Sequence, residues 1–275
     1  MIDLHCHSVF SDGALTPEEL IQRASARNIQ CLSLTDHDTV SGYSRLLDAA
    51  KHTNISIIKG IELSVRWKKY DLHILGYQID YDAQLLQQLI ARQKTSRYER
   101  GQGIAVALEH LGVENAHQKA CMIAGHEHIT RPHFAQLLVN EGRARDMQAA
   151  FRQFLARGRP AFVPTPWVSL EEAVACISQS NGQAVIAHPL KYGLTRTRLH
   201  ELIKAFKEAG GVGMEVVSGE MTSTQIKEMA GTSLRFDLLA SSGSDFHNDK
   251  TSPVALGAQA RLPENCTPIW HNWII

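Results

Sequence analysis

The chain has 275 residues, 44% hydrophobic and 20% charged, which suits a large soluble domain carrying an insertion. Its 28 basic residues balance 28 acidic ones, so no overall field draws it to nucleic acid or an anionic membrane, and any grip on phosphate must be local. Five scattered cysteines without a C-x-x-C pair argue against a disulfide framework, and no stretch approaches a membrane span; a cytoplasmic protein with no membrane contact and no obligate protein partner is expected.

The first element, "IDLHCH", alternates in character and reads as a strand. Residues two apart share a strand face, so His5 and His7 point together and Cys6 points away. Paired imidazoles are good ligands for divalent transition metals, and Asp12, five residues on, can complete or extend such a site. Thr16-Pro17-Glu18-Glu19 then opens a helix: Thr16 caps, Pro17 fits the first turn, Glu19 closes a capping box, and Leu20, Ile21 and Ala24 form the apolar face. "QCLSLTDHD" (30–38) is a strand delivering His37 to a loop, followed by a helix over about 41–52. "ISIIKGIELS" (55–64) and "DLHILGY" (71–77) are further strands bearing Glu62 and His73.

From about 84 to 111 the sequence is helical, with a break expected near Gly101 and Gly103, and helix-like sequence continues to about 157. We expect a mostly helical insertion there, dividing the chain into 1–100, 101–165 and 166–275. Alternation resumes with "QAVIAHP" (183–189), a helix over about 197–209, "VGMEVVS" (212–218), a helix to about 230 and "LLASSGSDFH" (238–247). Such a rhythm predicts parallel strands with covering helices and chemistry at the carboxyl ends of the strands.

Polar residues accumulate at those ends. His5, His7, Asp12, His37, Glu62, His73, His188, Asp245 and His247 lie at or just after strand termini, and His133 sits in the insertion. In a barrel the ends converge on one pocket, where this set exceeds the needs of a single ion. Asp245 and His247 repeat the same-face spacing of the opening pair from the far end of the chain. Glu62 follows an apolar strand and would be costly to leave unpaired; its two oxygens can bridge two cations, which an imidazole cannot do. His126 and His128 imitate an H-x-H pair but lie in a Gly-containing loop, and the remaining histidines fall in helices or the tail.

Together "DLHCHSVFSDG", "LTDHDT", "GIELS", "HILGY" and "GSDFH" resemble the PHP (polymerase and histidinol phosphatase) family of metal-dependent phosphoesterases. "ITRPHFAQLL", "LARGRPAFVP" and "AVIAHP" are similar to its bacterial subgroup of nucleoside 3',5'-bisphosphate phosphatases, which includes 5'-to-3' exoribonucleases. The resemblance implies an α/β fold, a distorted (β/α)7 barrel, with three divalent ions, commonly manganese, with zinc, iron or magnesium as alternatives. It implies that His5, His7, Glu62 and Asp245 hold one ion, Glu62, His73 and His133 a second, and Asp12, His37 and His247 the third. Three divalent ions set against three carboxylates and one hydroxide leave about two positive charges for a phosphate dianion. His188 is then a candidate to protonate the leaving oxygen or orient the phosphate, and Arg131, two residues before His133, to grip phosphate through its guanidinium fork. Arg97, Arg100, Arg157 and Arg159 are weaker candidates.

The expected activity is removal of the 3'-phosphate from a nucleoside 3',5'-bisphosphate, such as adenosine 3',5'-bisphosphate to AMP, with 5'-to-3' trimming of short RNA or RNA 5' ends as an extension. The alternatives are histidinol phosphatase or another small phosphomonoesterase, a C–N amidohydrolase, for which no lysine stands at the predicted strand ends, and a non-catalytic, metal-stabilised module.

Overall fold

The computed structural model describes residues 1–127, 129–250 and 252–274. The elements are β1 (Ile2–Cys6), α1 (Pro17–Ala26), β2 (Cys31–Leu34), α2 (Tyr43–Ala50), β3 (Ser56–Trp67), β4 (Tyr70–Tyr77), α3 (Gln84–His110), α4 (Ala116–Ala124), α5 (Arg131–Asn140), α6 (Met147–Ala150), β5 (Val168–Ser169), α7 (Leu170–Gln179), β6 (Gln183–Ile186), α8 (Arg196–Glu208), β7 (Gly213–Ser218), α9 (Ser223–Arg235) and β8 (Leu239–Gly243). They form two compact units, one of Met1–Ile90 with Val168–Ile275 and the other of Ala91–Trp167. Among the described residues no helix is long and apolar enough to cross a membrane.

The first unit is the distorted (β/α)7 barrel. Its strands run in the order β1-β2-β3-β4-β6-β7-β8, with the two-residue β5 paired to β3 outside that path. Beyond the end of β8 the ring draws shut on β1: the Asp245 N–H donates to the His5 carbonyl at 2.8 Å, and the His7 N–H to the Phe246 carbonyl at 2.9 Å. The buried Asp3 carboxylate pins the same seam, accepting from the N–H groups of His5, Ser244 and Gly257 at 3.2, 2.9 and 2.7 Å. Close approach of β8 to β1 depends on Gly243, where a Cβ would stand 2.3 Å from that of His5. α1 begins as its sequence dictates, with Thr16 and Glu19 in a reciprocal capping box and Leu20, Ile21 and Ala24 buried.

Two expectations are corrected. The β1-β2, β2-β3, β6-β7 and β7-β8 pairs are parallel, but β4 runs antiparallel to both β3 and β6. β3 is long enough to leave the ring: residues 56–59 pair with β2, while residues 60–67 form a hairpin with β4 that turns at Lys68 and Lys69. Glu62 therefore lies inside β3, not at its end; it is nevertheless at the rim, because the neighbouring β2 stops opposite Lys59.

The second correction concerns α3, which runs unbroken through Gly101 and Gly103. Each glycine costs a helix interior about 1 kcal/mol relative to alanine. At Gly103 that cost has a packing reason, since a Cβ there would meet the Val163 methyls at 3.2 Å. The helical unit has its own core, built from Ile104, Leu108, Phe134, Leu137, Leu138 and Leu155 among others. Within it the Arg97 and Arg100 guanidinium groups lie 5.1 and 4.9 Å from the Trp167 ring centroid.

Candidate metal centre

At the rim of the barrel unit, residues from six strands and their following loops meet. His5 Nε2 and His7 Nε2 stand 3.2 Å apart, and each is 3.2–3.3 Å from both Glu62 Oε2 and Asp245 Oδ1. Ligand atoms about 2.0–2.2 Å from one tetrahedral ion stand about 3.3–3.6 Å from each other. The two imidazoles thus stand from each other and from each carboxylate at about the spacing of ligands that share an ion.

The other Glu62 oxygen faces a second group. Oε1 lies 2.9 Å from His73 Nδ1 and 2.9 Å from His188 Nε2. A third group surrounds Asp12, whose Oδ1 is 3.4 Å from His247 Nε2, 3.7 Å from His37 Nε2 and 3.9 Å from His7 Nδ1. His37 Nδ1 approaches Glu62 Oε2 at 3.0 Å, so this imidazole stands between the Asp12 and Glu62 carboxylates.

The donors fit divalent cations better than they fit one another. Asp12 Oδ1, His37 Nδ1 and Glu62 Oε2 are buried without a hydrogen-bond partner among the described residues, although the last two are only 3.0 Å apart. Buried polar atoms left unsatisfied cost about 1–3 kcal/mol each, which an ion shared between them would offset. Asp38, His188 and Asp245 also hold left-handed backbone, at φ of 53°, 26° and 52°. Such strain at a non-glycine residue is characteristic of functional sites. The His/Asp/Glu clusters suit metal binding.

A supporting shell fixes the imidazoles. The Glu215 carboxylate, fully buried in β7, accepts from His5 Nδ1 at 2.9 Å and from the His188 N–H at 2.6 Å, directing His5 Nε2 into the cluster. Asp36 accepts from the Ser8 and Ser11 hydroxyls at 2.6 Å each, and Ser11 Oγ lies 3.4 Å from His7 Nδ1. Tyr192 brackets His73 by accepting from its N–H at 2.9 Å. Lys191, half-exposed, forms an ion pair with Asp245 Oδ2.

Sequence reasoning missed Glu215, Asp36 and Lys191. The signal for Glu215 was a carboxylate inside the apolar strand "GMEVV"; Lys191 lies three residues past His188, outside any strand, and gave none.

Burial opposes charge throughout the cluster, and the outcome differs by residue. Burial pushes the His7 imidazole down, but the hydrogen-bonding carboxylates of Asp245 and Glu62 outweigh it and raise its pKa from 6.5 to about 10. His5 also ends well above the usual range, against burial, through Glu215, Asp245 and Glu62. His37 and His188 are held down, chiefly by burial. Burial would raise the Glu62 carboxyl, but the imidazoles of His37, His73 and His5 hold it well below its usual range. Near neutral pH the metal-free site therefore carries protons on His5 and His7 that a cation must displace. Manganese uptake at pH 7 should release protons, and apparent affinity should rise as pH increases toward about 10, the His7 value. Calorimetric titrations in two buffers of different ionisation enthalpy read the proton count; identical heats would contradict this charge state.

Of the other sequence candidates, His133 and Arg131 belong to the helical unit. Arg131 is the first residue of α5, and His133 Nδ1 accepts from the Thr130 N–H at 3.0 Å in the cap of that helix. Arg157 and Arg159 also lie in that unit. His126 stands with its ring centroid 6.0 Å from that of His133, while His128 lies outside the described residues.

A seven-stranded α/β ring whose rim gathers six imidazoles and three carboxylates in overlapping clusters defines a barrel hydrolase of the metal-dependent class. The sequence matches the PHP domain family over residues 3–163, and the chain belongs to that family. It is 41% identical to a 3',5'-nucleoside bisphosphate phosphatase of Chromobacterium violaceum, over 98% of this chain and 95% of that protein. It is 38% identical to a 5'-3' exoribonuclease of Haemophilus influenzae, over 98% of each. A solved structure from Chromobacterium violaceum, described as an amidohydrolase with bound sulfate and no metal, superposes with a TM-score of 0.93 at 40% identity, covering 98% of this chain and 94% of that one.

Proposed function

We propose that the protein hydrolyses the 3'-phosphate of nucleoside 3',5'-bisphosphates through three divalent ions, manganese foremost. The observation that carries the metal part is the division of labour in Glu62, with Oε2 set toward His5, His7 and His37, and Oε1 toward His73 and His188. One carboxylate facing two imidazole groups is the arrangement of a bridging ligand. On this assignment His188 takes the place that sequence gave to His133, and so is not free to protonate the leaving oxygen. His5, His7, Glu62 and Asp245 would hold the first ion, Glu62, His73 and His188 the second, and Asp12, His37 and His247 the third. Bound there, divalent ions supply Lewis-acid polarisation of the phosphate and acidify water near neutral pH.

The protein's own groups do the rest. Glu215 fixes the His5 tautomer, Asp36 and Ser11 orient His7, and Lys191 offers a half-exposed cation beside Asp245. Arg131 remains our candidate for a substrate phosphate, for the bidentate chemistry of its guanidinium; Arg131→Lys is expected to lower kcat/KM on adenosine 3',5'-bisphosphate about tenfold. Substrate choice is supported by the name of the Chromobacterium violaceum relative, and the tetrahedral sulfate described with the solved structure is of the right shape for phosphate. The name of the Haemophilus influenzae relative favours a second reading, 5'-to-3' trimming of short RNA, which shares the same ester chemistry.

Product analysis tests the substrate. Manganese-loaded protein should convert adenosine 3',5'-bisphosphate to 5'-AMP and act more slowly on 3'-AMP; equal rates on the two, or release of the 5'-phosphate, would reject the bisphosphate reading. Asp12→Ala and His247→Ala should each cost one ion per chain, leaving the other two in place. Full metal content in either variant, measured by elemental analysis, would refute the assignment of that ligand to the third ion.

A further inference from the structure

A cleft of about 180 Å³ opens on the barrel unit beside His188 and Lys191, bounded across from them by Ser218 at the end of β7 and by Glu220 and Met221 just beyond it. We infer that this cleft is the subsite for the nucleobase of the substrate, an inference that rests on the phosphatase reading above.

Its position comes first. Two of the lining side chains, His188 and Lys191, are themselves bonded to Glu62 and Asp245, so the cleft borders the carboxylate cluster. The fold builds its far wall by a turn at Gly219, with φ of 58°, which carries Glu220 and Met221 around the end of β7. Met221 is fixed there by its sulfur, which accepts from the Ser218 N–H at 3.3 Å.

Its chemistry selects the occupant. Leu190 and Met221 supply apolar surface suited to the face of a flat ring. The Ser218 hydroxyl, on a residue only 6% exposed, has no hydrogen-bond partner among the described residues, which is unusual for a buried polar atom and leaves it to pair with a ring nitrogen or exocyclic group. Glu220 stands at the exposed edge, where its carboxylate would repel a second phosphate but would accept from an exocyclic amine. Size agrees: the volume falls below the roughly 300–1,000 Å³ of pockets that engulf a whole drug-sized ligand, so the cleft admits one ring system with the rest of the molecule outside it.

The test compares adenosine 3',5'-bisphosphate with an abasic analogue, 1-O-methylribose 3,5-bisphosphate, in the manganese-loaded full chain. Wild type should prefer the nucleotide by about tenfold or more in kcat/KM, and Leu190→Ala and Met221→Ala should each reduce that preference at least about threefold, chiefly through KM. Leu190 is 36% exposed, so its truncation keeps the fold even if Met221→Ala, which also loosens packing, does not. Wild type that turns over both compounds equally, or a preference unchanged in Leu190→Ala, overturns the base subsite while leaving the phosphatase reading standing. Release of phosphate from neither compound overturns both.

Discussion

Glu62→Gln is expected to lower kcat/KM on adenosine 3',5'-bisphosphate at least about a thousandfold, equivalent to about 4 kcal/mol of transition-state stabilisation. The change keeps shape and volume but removes the charge and replaces one ligand oxygen by a nitrogen that carries hydrogens. Both oxygens of Glu62 are in use, one within 3.3 Å of His5 and His7 and the other 2.9 Å from His73 and His188, so two ion sites are weakened at once. Metal content should fall below that of the wild type while the far-ultraviolet circular dichroism stays the same. A variant with full metal content and activity within tenfold of wild type would show that Glu62 is not a bridge.

The second large effect separates two histidines. His188→Ala should lose an ion and about a hundredfold or more of kcat/KM, because it removes an imidazole 2.9 Å from Glu62 Oε1 in a fully formed rim. His133→Ala should keep its metal, since the barrel unit supplies three groups for the second ion without it. Should His133→Ala lose an ion and His188→Ala keep every one, the ligand set implied by family resemblance alone would be right and the present assignment wrong.

Much of the site was legible because same-strand geometry is local. His5 with His7, and Asp245 with His247, announce themselves by a two-residue spacing, and the seam between β1 and β8 brings the two pairs together. Asp12 and His37 were found because they follow strands that end at the same rim. The contact of His188 with Glu62 was not legible, because the two are 126 residues apart and no spacing reports a contact across the ring. Glu215 hides for the same reason: a carboxylate between Met214 and Val216 looks like an anomaly until His5 is seen against it.

In the fold, alternation announced the seven strands of the ring, but not the two-residue β5, and misjudged one direction. A strand followed closely by another reads as two elements in either sense, and only the two-residue turn at Lys68 and Lys69 forces β4 to run back along β3. Gly101 and Gly103 suggested a break on propensity alone; packing against Val163 overrides that preference at Gly103.

On the proposed function, ions held at the barrel rim drive phosphate-ester hydrolysis. Metal-free protein titrated with manganese, with phosphate release from adenosine 3',5'-bisphosphate followed at each step, tests it most directly. Activity should be negligible without metal and reach its plateau near three equivalents per chain. A rate that is the same before and after manganese, or a plateau complete at one equivalent, would contradict it.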